Sequence, residues 1–120
     1  MSGAAGTTEP VRTMTEDEWR AFALHGTRTG KLAVTRSSGA PHVTPVWFAV
    51  DGDDVVFTTH SSSLKAKALQ PDPRFALLVD DQAPPYSYVL IEARARLSED
   101  LDELRRWATV LGARYMGADR

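Results

Sequence analysis

The strongest hydrophobic pattern of the chain lies between His42 and Thr59. From His42 to Val50 apolar residues occur on both faces of a period-two alternation, which indicates a strand buried on both sides, at the centre of a sheet. Asp51-Gly52 supplies the positive φ that a narrow turn requires, and the run 55–59 then returns antiparallel. The pattern therefore predicts a central β-hairpin.

Three further strands are predicted from the same alternation. The first covers 31–36, and the turn at 37–39 joins it to the hairpin as an antiparallel neighbour. The second covers 74–80 and is apolar on both faces. The last and longest places its inward side chains at Val89, Ile91, Ala93, Ala95 and Leu97.

Three helices are predicted at the periphery of these strands. Thr15 and Glu18 have the spacing of a capping box, so a helix should begin there and run to about His25. A second helix of about two turns covers 63–70 and is stopped by the prolines at 71 and 73. Ser98 is predicted to cap the third helix, whose apolar stripe is Leu101, Leu104, Ala108 and Leu111.

Five strands with helices only at the edges favour a mainly β fold, a small antiparallel barrel, over alternating βαβ units. Residues 1–13 are small, polar and without pattern, which predicts a disordered tail, and 14–120 should form one domain. A barrel of this size has little room for an internal ligand. We therefore expect a small-molecule site on its outside, between two copies of the chain.

Composition narrows the function classes further. A net charge of −2 over 120 residues gives no support to nucleic-acid binding, and no apolar run approaches the length of a membrane span. The absence of cysteine excludes disulfides, thiolate nucleophiles and zinc–sulfur sites, and fits a cytoplasmic protein. The three histidines have no metal-ligand spacing, so no metal site is predicted. No catalytic side chain is predicted either, and a role of His42 or His60 as a proton donor near a bound ring stays open.

The segment 60–67, His-Ser-Ser-Ser-Leu-Lys-Ala-Lys, carries the clearest candidate chemistry. Hydroxyl groups, backbone N–H groups and two ammonium groups lie together at a predicted helix start, an arrangement that holds anions. The alternative is that Lys65 and Lys67 are ordinary surface lysines on a helix.

Seven short motifs in order resemble one known family. They are GKLAV (30–34), PHVTPVWF (41–48), FTT (57–59), SLK (63–65), DPR (72–74), PPYSY (84–88) and ARYMG (113–117). Together they resemble the actinobacterial, deazaflavin-dependent branch of the pyridoxamine 5'-phosphate oxidase-like proteins, the FMN-binding split β-barrels. The resemblance covers about residues 14–120.

The resemblance implies a homodimer with a cofactor, coenzyme F420 or alternatively FMN, in each of two grooves between the subunits. The cofactor-binding positions it implies are the backbone of Val43, Thr44, Pro45, Val46 and Trp47 at the ring, Thr58 and Thr59 beside the ribityl chain, Ser63, Lys65 and Lys67 at the phosphate, and Tyr86 reaching the ring from the other subunit. The chain departs from the family at Ala68, where relatives often have Asn. It also stops at Arg120, so we expect it to lack a final C-terminal strand.

Two function classes follow. The first is an oxidoreductase that transfers hydride from reduced F420 to an unsaturated or conjugated small-molecule substrate, with the protein supplying orientation and a shielded groove. The second is an FMN- or haem-binding protein, or a cofactor carrier without turnover of its own. Ring recognition through backbone contacts leaves little trace in side chains, so both classes stay open.

Overall fold

The computed structural model describes residues 2–6, 15–59 and 62–117. Within these ranges the chain forms, in order, β1 (Ser2–Gly6), α1 (Glu16–Leu24), β2 (Gly30–Thr35), β3 (Pro41–Val46), β4 (Phe48–Asp51), β5 (Asp54–Phe57), α2 (Leu64–Leu69), β6 (Arg74–Asp80), β7 (Tyr88–Arg94) and α3 (Leu101–Met116). No helix in these ranges has the length and apolar character needed to cross a bilayer.

Five strands form one antiparallel sheet in the order β1-β7-β6-β2-β3, and β4 and β5 form a separate hairpin. The three helices come between or after strands along the chain, as predicted for a mainly β fold. Gly52, at the turn between β4 and β5, has a φ of 62°, the conformation that favours glycine at such a turn. The predicted hairpin is therefore confirmed at its turn.

The inner face of the five-stranded sheet is the core. Strands β2 and β6 alternate strictly, so that every second side chain of these two strands is buried against α1, α2 and the β4–β5 hairpin. The buried members from the central strands are Leu32, Val34, Phe75, Leu77, Val79, Val89 and Ile91. The helices complete this core with Trp19 and Ala23 of α1 and Leu69 of α2. The predicted first helix is confirmed, including its capping box at Thr15.

Gly30 lies directly against a core side chain. A Cβ at this position would lie 2.6 Å from the Cδ1 atom of Leu77, a distance that side chains do not tolerate. Leu77 is fully buried, so it has no free space into which it could move. Glycine at position 30 therefore allows β2 to pack closely on the core.

The opposite side of the same sheet also carries charged residues, among them Glu92, which is paired with Ala76. The name outer face is used here for the patch on this side that consists of Lys31, Ala33, Val43, Pro45, Ala76, Leu78 and Leu90. The register places Lys31 opposite Pro45 and Leu78, and Ala33 opposite Val43 and Ala76, so these side chains share one face. Its members are exposed or half-buried, and Val43 keeps 61% of its surface exposed. The outer face is mostly apolar, and nothing within the described chain buries it.

The predicted continuous strand from His42 to Val50 is wrong in two respects. The chain leaves the strand conformation at Trp47, so β3 pairs with β2 while β4 pairs with β5 in the other sheet. β3 is also an edge strand of its sheet and not a central one. Pro45 carries the physical reason, because proline cannot donate a ladder hydrogen bond and is confined to edge strands.

The two ends of the described chain also differ from prediction. Ser2–Gly6, predicted as part of a disordered tail, pairs with β7 as the edge strand β1, and 7–14 lie outside the described residues. β7 ends at Arg94, so Leu97 is not an inward strand residue and is 47% exposed.

Helix α3 begins later than predicted. Its N-cap is Asp100 and not Ser98, because the Asp100 carboxylate accepts hydrogen bonds from the N–H groups of Asp102 and Glu103 at 2.9 and 3.1 Å. Of the predicted apolar stripe only Leu111 is buried, and Leu101 is 65% exposed. Most of α3 therefore makes little contact with the core, and its C-terminal end provides the attachment.

Candidate functional site

The first part of the candidate site is the free edge of β3, which contains Val43 to Val46 and leads into Trp47. One edge of β3 is hydrogen-bonded to β2, and no strand of the described chain pairs with the other. The main-chain N–H and C=O groups along such an edge are available to a ligand. This agrees with a role for the β3 backbone, and not its side chains, in binding.

Beyond β5, a pair of hydroxyl groups forms the second part. The Oγ1 atom of Thr59 and the Oγ atom of Ser63 are 2.8 Å apart, and Ser63 Oγ also accepts a hydrogen bond from the N–H of Ala66 at 3.2 Å. Ser63 is thus the N-cap of α2, which confirms the predicted helix start. Thr58 precedes this pair and is half-buried. The structure therefore brings Thr59 and Ser63 together, whereas 60 and 61 lie outside the described residues.

Two lysines follow on α2. Lys65 is half-buried and Lys67 is exposed, and neither forms an ion pair with a carboxylate of the described residues. Because α2 has six residues, the positive potential here comes from the two ammonium groups more than from the helix. The hydroxyl pair and these lysines together can hold one phosphate-like anion.

Two other cations of the sheet, Lys31 and Arg74, are already paired. Lys31 Nζ lies 2.9 Å from Asp80 Oδ1, and Arg74 contacts both carboxylate oxygens of Asp72 at 2.9 Å. The hydrogen bonds from Arg74 lower the pKa of Asp72 to about 2. These pairs leave Lys65 and Lys67 as the better anion ligands.

Tyr86 lies in a different part of the structure from Lys65 and Lys67. It borders a depression of about 570 Å³ at the ends of β6 and β7, lined by Leu78, Asp80, Asp81, Gln82, Tyr86 and Tyr88. The residue has a φ of 61°, an unusual value for a bulky side chain, and is 52% exposed. Among the contacts of the described residues, none joins Tyr86 to Ser63 or Lys65. One chain alone therefore does not assemble Tyr86 with the predicted phosphate ligands.

A cluster that sequence reasoning missed lies where β3 ends. The indole of Trp47 stacks on the ring of Tyr115 from α3, with centroids 5.0 Å apart and planes 5° from parallel. The Tyr115 hydroxyl donates to the carbonyl of Arg28 at 2.8 Å and accepts from the N–H of Phe48 at 3.2 Å. Burial raises the pKa of Tyr115 above its ordinary value, so the hydroxyl stays protonated at neutral pH.

Arg114 completes the same cluster. Its guanidinium donates to the carbonyls of Phe48, Ala23 and Gly26, the last two at 2.9 and 3.2 Å. It also lies over the rings of Phe48 and Tyr115 at 4.6 and 4.7 Å. Burial lowers the pKa of Arg114 from its ordinary value. In the sequence, the available signal for Arg114 and Tyr115 is that both belong to the ARYMG motif. The motif alone assigns them no role.

Comparison with known proteins now bears on this geometry. Residues 15–119 match the family described as pyridoxamine 5'-phosphate oxidase. A conserved hypothetical protein of Mycobacterium tuberculosis, Rv2991, is 33% identical with a TM-score of 0.79 over 87% of this chain, which spans 66% of that protein. A protein named F420 reductase is 31% identical with a TM-score of 0.65, covering 81% of this chain and 76% of that one.

A more distant structure is the haem storage protein HutZ of Vibrio cholerae, with 18% identity, a TM-score of 0.67, and coverage of 85% of this chain and 75% of that one. At that identity the likeness concerns the fold alone. A search of curated proteins finds no match. The sheet of the described residues is not closed into a barrel, but its strand arrangement agrees with the split barrel of these relatives. The chain belongs to the pyridoxamine 5'-phosphate oxidase family of split β-barrels.

Proposed function

We propose that this protein is an oxidoreductase that binds reduced coenzyme F420 and transfers hydride from it to an unsaturated or conjugated organic substrate. The observation that carries this proposal is the 31% identity, over 81% of the chain, to a protein named F420 reductase. The geometry of the candidate site adds support, because the residues present suit a ring, a ribityl chain and a phosphate.

The donor groups fit such a cofactor in three places. The free edge of β3 offers backbone hydrogen bonds from Val43 to Val46, and the Thr59–Ser63 pair offers hydroxyl groups. Lys65 and Lys67 would neutralise a phosphate. When bound, a deazaflavin supplies the hydride chemistry, since its central redox position is carbon. The protein's own contribution is orientation and exclusion of water, and no side chain needs to act as a nucleophile.

The active form in this proposal is a homodimer that associates through the outer face. That face is mostly apolar, and Val43 at 61% exposure is its most open large side chain. Apolar patches of this kind mark association surfaces. A second subunit would also bring its Tyr86 to the ring, which the single chain leaves separate from the lysines. The substrate would then bind on the open side of the cofactor.

A direct experiment mixes the purified chain with F420, FMN and haem in turn and follows cofactor fluorescence and visible absorption. We expect saturable binding of F420. Reduced F420 bound to the protein is then mixed with enones, quinones and tetrapyrroles, and at least one class should oxidise it faster than buffer does. Binding of FMN or haem with no binding of F420 would instead establish the second function class, a flavin- or haem-binding protein.

A further inference from the structure

The end of strand β3 is fixed by residues that come almost 70 positions later in the chain. We refer to Arg114 and Tyr115 of α3, with their contacts to Trp47 and Phe48, as the α3 clamp. Tyr115 stacks on Trp47 and accepts from the Phe48 N–H, and Arg114 donates to the Phe48 carbonyl. The clamp therefore holds both polar backbone groups of Phe48, the first residue after the strand conformation is interrupted at Trp47.

The clamp also connects this point to a second element. Arg114 donates to the carbonyl of Ala23 in the last turn of α1 and to that of Gly26, and Tyr115 donates to the carbonyl of Arg28. These carbonyls belong to the helix end and the connection that lead into β2. One helix turn of α3 thus ties together the end of β3, the start of β4 and the entry into β2.

We propose that Arg114 and Tyr115 are positioning residues of the cofactor site: they hold the β3 edge and the Trp47 indole in the conformation that receives the cofactor ring. This inference rests on the proposed function, because it assumes that the ring lies along Val43 to Trp47. Neither residue touches the ring in this account. Their effect passes through the backbone of Trp47 and Phe48.

The physical reason lies in the exposure of an edge strand. β3 has a strand neighbour on one side only, and β4 turns away into the other sheet, so pairing alone leaves the Trp47 junction weakly constrained. A site that binds a rigid ring through main-chain groups gains affinity when those groups are already ordered. The clamp supplies that order without occupying the edge itself.

The test uses three variants of the clamp and one matched control. Tyr115→Phe keeps the ring stacked on Trp47 and removes both hydroxyl hydrogen bonds, whereas Tyr115→Leu removes the stacking as well. Arg114→Lys keeps a positive charge but loses the guanidinium group, whose several N–H donors bond three carbonyls at once. Arg106→Lys is the control, because Arg106 also lies over an aromatic ring of α3, Trp107, but has no described contact with β3 or β4.

Two measurements separate positioning from a general structural role. Amide hydrogen exchange at Phe48 reports the clamp without any cofactor, and in Tyr115→Phe it should accelerate about fivefold while exchange at Leu77 stays unchanged. Cofactor titration at 25 °C, on variants whose far-UV circular dichroism shows that they are folded at this temperature, should give an F420 dissociation constant raised about fivefold for Tyr115→Phe and Arg114→Lys, and further for Tyr115→Leu. For Arg106→Lys it should stay within about twofold.

Each result is decisive. Variants that unfold at lower temperature but bind F420 as tightly as the wild type would overturn the positioning role and leave a structural one. Unchanged exchange at Phe48 in Tyr115→Phe would overturn the clamp itself. A wild-type chain that does not bind F420 would instead overturn the proposed function, and this inference with it. If Arg114→Lys fails to fold, Tyr115→Phe decides alone, since it preserves the shape of the side chain.

Discussion

The two faces of the five-stranded sheet are built from the same strands, yet they differ in how completely one chain accounts for them. On the inner face, side chains such as Leu77 and Val89 are fully buried by α1, α2 and the hairpin. On the outer face, the neighbouring positions Leu78 and Val43 are equally apolar and remain partly or largely exposed. The inner face stabilises the fold, and the outer face and its β3 edge are available for partners.

A period-two alternation in the sequence does not distinguish these two faces. An apolar residue on either side of a strand indicates burial, and the pattern does not say what buries it. Where the chain itself supplies the cover, the residue contributes to folding. Where the chain does not, the residue marks a surface that another molecule can occupy.

The largest effect is expected when two adjacent residues on opposite faces of the sheet are compared. Leu77→Ala should lower the free energy of unfolding by about 3 kcal/mol, because it leaves a cavity in a fully buried position. Leu78→Ala should lower it by less than about 1 kcal/mol at low protein concentration, since Leu78 lies on the outer face. Urea unfolding measures both.

Repeating this measurement at high protein concentration sharpens the comparison. The Leu77→Ala effect should not change, whereas the Leu78→Ala effect should grow if the outer face associates. Equal losses for the two variants at low concentration would show that the faces do not differ in the way described.

A second prediction concerns association through the outer face. Val43→Glu should weaken homodimer formation about tenfold or more, because a carboxylate would be buried there without a partner. The stability of the monomer should change little, since Val43 is exposed in one chain. Sedimentation at several concentrations gives the dissociation constant.

The control is Val110→Glu, which adds the same charge at a residue of α3 that is 40% exposed and lies outside the outer face. Its dimer should be as tight as that of the wild type. If Val110→Glu weakens the dimer and Val43→Glu does not, the interface lies on α3.

The third prediction addresses the anion site. Lys65→Ala should raise the dissociation constant for F420 roughly tenfold, because a hydrogen bond to a charged group contributes about 1.5–3 kcal/mol. Arg105→Ala removes one positive charge from an exposed part of α3 and should leave the affinity within about twofold. Fluorescence titration compares them at equal ionic strength. Equal effects would indicate long-range charge attraction and no specific phosphate contact.

The smallest expected effect is the pH dependence of the α3 clamp. Burial raises the pKa of Tyr115, so its contribution to stability is fully present below about pH 10, the ordinary tyrosine value, and is lost as the pH rises through the raised pKa. The wild type should therefore lose about 1 kcal/mol more than Tyr115→Phe between pH 8 and the alkaline range. Parallel pH profiles would contradict this role of the hydroxyl.

Much of the fold could be predicted from local signals. The capping box at Thr15, the Asp51-Gly52 turn and the alternation of β2 and β6 each act within a few residues, and each agrees with the structure. The break at Trp47 was missed because the alternation continues through it without interruption. Pro45 was the signal that should have moved β3 from the centre of the sheet to its edge.

The site was predictable only where its parts are close in sequence. Ser63 and Thr59 are four residues apart, and the structure joins them by a hydrogen bond. Tyr115 meets Phe48 across 67 residues, a contact that no local pattern encodes. The ion pair of Lys31 with Asp80 likewise depends on strand order, because it joins residues that are 49 positions apart.

The most direct test of the account is competition between F420 and FMN for the wild-type protein at low and high ionic strength. Both cofactors carry a ring, a ribityl chain and a phosphate. The deazaflavin adds carboxylates in its tail, and these would place further negative charge beside Lys67, which is exposed and has no carboxylate partner among the described residues. An exposed ion pair contributes about 0.2–1 kcal/mol, so F420 should bind up to about fivefold more tightly than FMN at low salt, and the preference should shrink at high salt. If FMN binds as tightly as F420 at low salt, or copurifies and cannot be displaced, the deazaflavin assignment is contradicted.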